Sequence, residues 1–487
     1  MSSTPTTRKV RPLSLLLAAA LALFVHDSGS AQTDARGALR ARLGQLVAEA
    51  GAGEQVSIAV ADAATGATIF EHQAQLALNP ASNQKLVTAA AALELLGGDF
   101  RIRTGLYGRV EGDAVVGGLY LRGFGDPSLR QADLVELARD LADHGVRRVD
   151  GVVVDATYFD EQLLPPAFEQ QPDEIAPFRA ATGAISVDAN AYTLRILPGS
   201  AVGEPARVRL DGSDYFALEN SLTTAAGGAP AVIAIQRDRG ATMQLLLRGS
   251  VPLGVTGVSY RRRIENPLAW SGHLMSDALS AAGIRNTGGV RMAAAPSDAA
   301  LLAQHQSRPL AELISAMGKQ SDNFVAEMVF RVIGAERHHP GRVEDSVSAV
   351  REYLTRAGVG TEGVEIVNGS GLFRGNRVPA SHLVRLLSHV YQTPAIRDEY
   401  VAHLAVGGVD GTLANRLGDL PRPRIVRAKT GTLDDAIALS GYVLGPDAGT
   451  AVAFSVLVNG ASGRHGAARG LADGVARAIA EDLWHGR

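Results

Sequence analysis

Cysteine is absent from the chain, so disulfides, thiolate nucleophiles and cysteine-ligated metal sites are excluded. An excess of one charge is also lacking. The 47 Lys and Arg are nearly matched by 50 Asp and Glu, and a nucleic-acid partner would ask for a basic surplus. Aromatic residues make up only 5% while Gly numbers 54, which predicts many turns and short strands. Beyond the first thirty residues there is no apolar run long and unbroken enough to cross a bilayer. The 12 histidines are scattered, and His338-His339 beside Pro340 reads as loop rather than as a ligand set. Internal repeats and low-complexity tracts are missing too.

The opening residues form a unit of their own. Arg8, Lys9 and Arg11 make a basic head, and Leu13 to Val25 is apolar but short for a span. Gly29-Ser30-Ala31 then supplies small-x-small before Gln32, the pattern of a cleavable export signal over residues 1–31; an uncleaved anchor is the alternative. With the signal removed, no transmembrane anchor is expected.

A chain of 487 residues is long for one core, so two or more structural units are expected. Asp34 to Gly53 reads as an amphipathic helix, and Gln55 to Ala63 with Ala67 to His72 as a hairpin. Between about 101 and 289 short alternating strands dominate, with helical stretches at Ala132 to Gly145 and His273 to Ile284. The Pro-rich stretch Gln162 to Phe178 reads as an irregular loop. Helical texture returns after 290, then strands at Arg424 to Leu433, Ala436 to Leu444 and Thr450 to Gly460, and a closing helix from Gly466. The resulting expectation is an α/β core: an antiparallel sheet shared by both ends of the chain, with helices packed on it. The core is formed by 32–100 and 290–487, interrupted by a mostly β insertion, 101–289, in two subdomains.

Candidate chemistry begins at Ser82 and Lys85. Three apart at the start of an alanine-rich helix, they share a face. A serine hydroxyl needs a base, and a lysine in a dry apolar site gives up its proton more readily. The backbone N–H of a serine in the first helical turn can also meet a developing oxyanion. By itself Ser-x-x-Lys is a common string. Ser321-Asp322-Asn323, before an apolar helix, reads alone as a helix cap. Lys429-Thr430-Gly431, on a strand, reads alone as an edge lysine. The three in this order, each in a fitting element and on an exported chain, carry far more weight than any one.

Ser-x-x-Lys, Ser-Asp-Asn and Lys-Thr-Gly in sequence are the mark of penicillin-binding proteins and class A β-lactamases. The long insertion between the first two resembles peptidase family S13, the class C low-molecular-mass penicillin-binding proteins. Phe124 to Leu129, Val367 to Val378 and Ala405 to Leu417 resemble that family's recurring segments. The chain departs from it at Asn368 and Thr432, where Asp and Ser are common, and at Asp434, where some members carry Gln. The resemblance implies a β-lactamase/transpeptidase-like fold and a serine D-Ala-D-Ala carboxypeptidase or endopeptidase without cofactor or metal. Its partners would be peptidoglycan stem peptides, with β-lactam antibiotics as covalent inhibitors. Ser82 would attack, Lys85 act as base, Ser321 relay a proton and Asn323 hold a substrate amide. Lys429 would depress the proton affinity of Lys85 and, with Thr430, Gly431 and Thr432, bind a terminal carboxylate. Asp155 and Arg374 would meet the far end of a diaminopimelyl side chain, although each also reads as a structural or solvated residue. A secreted β-lactamase and a catalytically retired wall-binding scaffold are the rival readings.

Overall fold

Strands from both ends of the chain meet in one sheet. The computed structural model describes residues 36–484 apart from 54, 211 and 212, together with the first two residues. The expected export signal therefore falls almost wholly outside the described residues. Among the described residues no helix is long and apolar enough to cross a membrane.

The sheet has six antiparallel strands in the order Ala405–Val406, Val426–Leu433, Ala436–Leu444, Ala451–Asn459, Gln55–Asp62 and Thr68–His72. Alternate residues of a strand point to opposite faces. Ile58 and Val60 face a layer made by helix 36–49 and the His465–Trp484 helix, where Leu39, Leu43, Val475 and Ile479 pack. Ala59 and Ala61, with Ala438 and Ala453, face the second layer. Alanines on that face let the helices come close. The Gln84–Leu96 helix sits there, and it is buried on every side from Gln84 to Leu93. A helix enclosed all round is a core helix, so Lys85 has no route to bulk water along its own surface. The Asn323–Ala335, Val343–Arg356 and Ala380–Gln392 helices complete this layer.

The insertion carries a seven-stranded sheet and two three-stranded sheets. Its limits differ from the expectation. Val290–Met292 pairs with Val152–Asp155, and Ala300–Gln306 pairs with Arg103–Glu111. The chain therefore returns to the catalytic core only after residue 306, because these late strands complete the insertion's sheet. The three sheets share apolar packing. Leu119 and Leu121 of the large sheet, Leu194 and Ile196 of one small sheet and Leu245 and Leu247 of the other lie in one apolar cluster. A second cluster joins insertion to core: Phe124, Tyr158 and Phe159 pack on Phe324, Met328 and Val332. The helical stretch expected at 273–284 is the Pro267–Ala281 helix, started earlier by Asn266, whose side chain caps Ala269 N–H.

Candidate active site

The Ser82 turn is fixed before the helix begins. Asn79 accepts the Ala81 N–H (2.9 Å) and exchanges two bonds with Asn459 at the end of the last sheet strand (2.9 and 3.1 Å). Ala81 takes a left-handed φ of 47°, and Ser82 follows in a short 3-10 turn, Ala81–Asn83, that feeds the Gln84–Leu96 helix. The Val426–Leu433 strand passes directly alongside. A Cβ on Gly431 would lie 2.9 Å from Pro80 O and 3.0 Å from Ala81 Cβ, so only glycine admits this approach.

Three motifs converge through two amines. Lys85 Nζ donates to Ser82 Oγ (3.1 Å), Asn323 Oδ1 (2.8 Å) and Ser370 O (2.6 Å). Lys429 Nζ donates to Ser321 Oγ (2.8 Å) and Thr430 O (2.7 Å). Both lysines are fully buried. Ser321 stands in a left-handed turn (φ 61°), and Asp322 caps the next helix by accepting from Val325 N–H (3.0 Å). Asp322 thus caps the helix, while Ser321 and Asn323 face the amines. The Nδ2 of Asn323 donates to Phe178 O at 3.3 Å, a carbonyl supplied by the insertion. Thr430 Oγ1 donates to Thr412 Oγ1 (2.8 Å).

Burial pushes the Lys85 amine down to about 7, against the opposing pull of the Glu327 and Asp322 carboxylates. Lys429 is driven well below the ordinary lysine range, first by burial and then by the charge of Lys85. Each amine disfavours a proton on the other, and the Glu327 and Asp322 carboxylates act on Lys85. Buried His403 is lowered to about 4, chiefly by burial, with Lys429 and Lys319 adding to the effect; it faces this cluster as a neutral ring.

Beside Thr432 lies a cavity of about 360 Å³, also lined by Phe178, Phe373, Arg374, Asp434 and Asp435. Arg374 is 75% exposed there, 3.3 Å from Asp435. Asp155, expected with Arg374 to meet the far end of a diaminopimelyl side chain, is not among the residues that line this cavity. Asp155 is 1% exposed and sits in the insertion's sheet, where it accepts from Thr157 N–H and Oγ1 (3.0 and 2.6 Å) and Ala295 N–H (3.0 Å). It lies 3.4 Å from Arg122 Nε. Its lone pairs are taken by neighbours that hold two strand ends together. Carboxylates do adjoin Arg374, but they are Asp434 and Asp435.

Asn368 explains its own departure from the family pattern. Its Nδ2 donates to Pro166 O (3.0 Å) and Leu372 O (3.1 Å), and its Oδ1 accepts from Gly371 N–H (2.9 Å). An aspartate has no proton for those two carbonyls. Sequence reasoning passed over three contributors. Glu327, 2% exposed, accepts the N–H groups of Gly369 and Ser370. Thr412 supports Thr430. The Pro-rich loop of the insertion walls the cavity: Phe168 stacks edge-on against Phe373, and Gln170 brackets the Arg374 backbone. For Glu327 a signal existed. Asn323, Glu327 and Arg331 recur every fourth residue along one face of an otherwise apolar helix.

A serine backed by one buried amine, with a second serine backed by another, on a sheet packed between helical layers, defines a serine acyl-transfer enzyme. The chain belongs to the D-Ala-D-Ala carboxypeptidase 3 (S13) family, whose model matches residues 39–479, and it is a serine peptidase of that family. It is 35% identical to the D-alanyl-D-alanine carboxypeptidase of Actinomadura sp. (strain R39), over 97% of this chain and 89% of that protein. It is 28% identical to the D-alanyl-D-alanine carboxypeptidase DacB of Haemophilus influenzae, over 78% and 80% of the two chains. The fold matches the crystal structure of penicillin-binding protein 4 (dacB) from Haemophilus influenzae with TM-score 0.76 at 24% identity, covering 91% of this chain and 99% of that one.

Proposed function

We propose that this enzyme hydrolyses D-Ala-D-Ala-type bonds of peptidoglycan stem peptides through an acyl-enzyme on Ser82. Neutral Lys85 takes the Ser82 proton as Oγ attacks the penultimate D-Ala carbonyl. The N–H groups of Ser82 and Thr432 receive the oxyanion. Ser321 passes a proton to the departing amine, and water then resolves the ester. Lys429, Thr430 and Thr432 hold the terminal carboxylate, and Asn323 Nδ2 exchanges the Phe178 carbonyl for a substrate carbonyl. Arg374 reaches the stem side chain across the cavity. The leaving amine can be free D-Ala or the cross-bridge of a second stem, so one acyl-enzyme serves carboxypeptidase and endopeptidase work. A β-lactam acylates the same oxygen. The basic head and short apolar run of the first residues support a location outside the cytoplasm, in the periplasm or cell-wall space.

The observation that carries this reading is the 3.1 Å contact of Lys85 Nζ with Ser82 Oγ, made by an amine lowered to about 7. Fluorescent penicillin should label the protein covalently, and Ser82→Ala should abolish labelling without loss of fold. An unlabelled, folded wild type would sink the proposal, and fast sustained nitrocefin turnover would favour a β-lactamase instead. Digestion of monomeric and cross-linked muropeptides separates the two peptidase activities.

A further inference from the structure

The Asn323–Ala335 helix buries one carboxylate against the catalytic cluster, and no step of the reaction above uses it. Glu327 stands one turn after Asn323 and shares its face. Its two oxygens accept from Ser370 N–H (2.7 Å) and Gly369 N–H (3.1 Å). The same turn gives Ser370 O to Lys85 Nζ and Gly369 O to Thr88 Oγ1 (2.7 Å). The turn is wedged tightly. A Cβ on Gly369 would lie 2.5 Å from Phe330 Cβ, and one on Gly371 1.9 Å from Ala81 O. It therefore fills the space between the Ser321 helix and the Ser82 turn, and Glu327 is its anchor on one side.

We propose that Glu327 is a positioning residue of the reaction: through the Gly369–Ser370 turn it places the Lys85 amine against Ser82, and its negative charge governs how readily that amine holds a proton. This rests on the reading of Lys85 as base. With both oxygens facing N–H donors, the carboxylate form is the one the turn selects. Burial raises the Glu327 carboxyl above its ordinary range on balance, while hydrogen bonds from Ser370 and Gly369 and the Lys85 charge act the other way and favour the carboxylate. The charged groups around Lys85 are Glu327, Asp322 and Lys429, and both carboxylates raise its proton affinity. Removing the Glu327 charge should therefore free the amine at lower pH, while weakening the turn should misplace it.

The test measures penicillin acylation rate against pH for full-length wild type, Glu327→Gln and Glu327→Asp, with folding followed by circular dichroism. Glu327→Gln sets an amide NH₂ against a backbone N–H. It should acylate about tenfold to a hundredfold more slowly at its plateau, with its acid limb displaced to lower pH by about one pH unit. Glu327→Asp keeps the charge on a shorter arm and should be slowed with the acid limb unmoved; if the glutamine variant does not fold, Glu327→Ser, which removes the charge and leaves room for water at the two N–H groups, should show the displaced limb in its place, and an unmoved limb there overturns the proposal. Wild-type rates in either folded variant, or an unmoved limb in Glu327→Gln, overturn the proposal. A purely structural role would slow the reaction and leave the limb in place. Failure of the wild type itself to acylate would sink the functional reading instead, so the two failures are told apart.

Discussion

The two buried lysines are alike in depth and unlike in company. Lys85 has a hydroxyl, an amide oxygen and a carbonyl within bonding distance, with two carboxylates beyond them. Lys429 has a hydroxyl and its neighbour's carbonyl, and the charge that acts on it is that of Lys85. Two amines this close titrate as a pair rather than singly. The carboxylates beside Lys85 favour a proton there. In the proposed reaction a substrate carboxylate at Thr430 and Thr432 would give Lys429 a negative partner, and a proton on Lys429 would in turn favour neutral Lys85.

The comparison breaks most readily at Lys85. Lys85→Met should lower acylation by about 10²- to 10⁴-fold, the usual worth of a positioned base. In the wild type the acid limb should fall at about pH 7, where the Lys85 amine loses its proton. Stability carries the same sign. The folded value lies below the ordinary 10.5, so between pH 7 and 10.5 the unfolded chain binds more protons and stability rises with pH. Lys85→Met should lessen that rise and leave the part due to Lys429, as thermal unfolding across the range would record. Lys429→Met sharpens the contrast. It should cut acylation about tenfold to a hundredfold by loss of substrate charge pairing, while the acid limb of the reaction with a β-lactam ester, which has no free carboxylate, stays near pH 7. A limb that moves to higher pH would mean that Lys429 is charged in the free enzyme and depresses Lys85 after all.

The shared sheet, the helix after Ser82 and the three motifs could be read from the chain because each rests on local pattern. Strand alternation at Gln55–Asp62, the unbroken apolar run of Ala451–Asn459 and the cap at Asp322 are written in a few adjacent residues. What escaped depends on contacts far apart in sequence. The late strands Val290–Met292 and Ala300–Gln306 are too short and too exposed to declare which sheet they complete. The Pro-rich loop reads as irregular and is so, but nothing local says that Phe168 meets Phe373 or that Pro166 receives Asn368. Glu327 was visible as a charge inside an apolar helix, but its partners lie more than forty positions away in Gly369 and Ser370.

The smallest effects should separate Arg374 from Asp155. An exposed guanidinium beside Asp435 can release it to a substrate carboxylate at little cost, since such a pair is worth roughly 1 kcal/mol or less. Arg374→Ala should raise KM about three- to tenfold for stems that carry a carboxylate on the side chain, and leave neutral analogues unaffected. Asp155 differs in kind. Its oxygens are committed to Thr157, Ala295 and the Arg122 ion pair inside the insertion. Asp155→Asn keeps the acceptor for Thr157 but turns an NH₂ toward Arg122 and the Ala295 N–H. Thermal unfolding should show a loss of about 1–3 kcal/mol, with KM for charged and neutral stems unchanged. If Asp155→Asn instead discriminated between those stems as Arg374→Ala does, the insertion would reach the substrate through a rearrangement of that strand end.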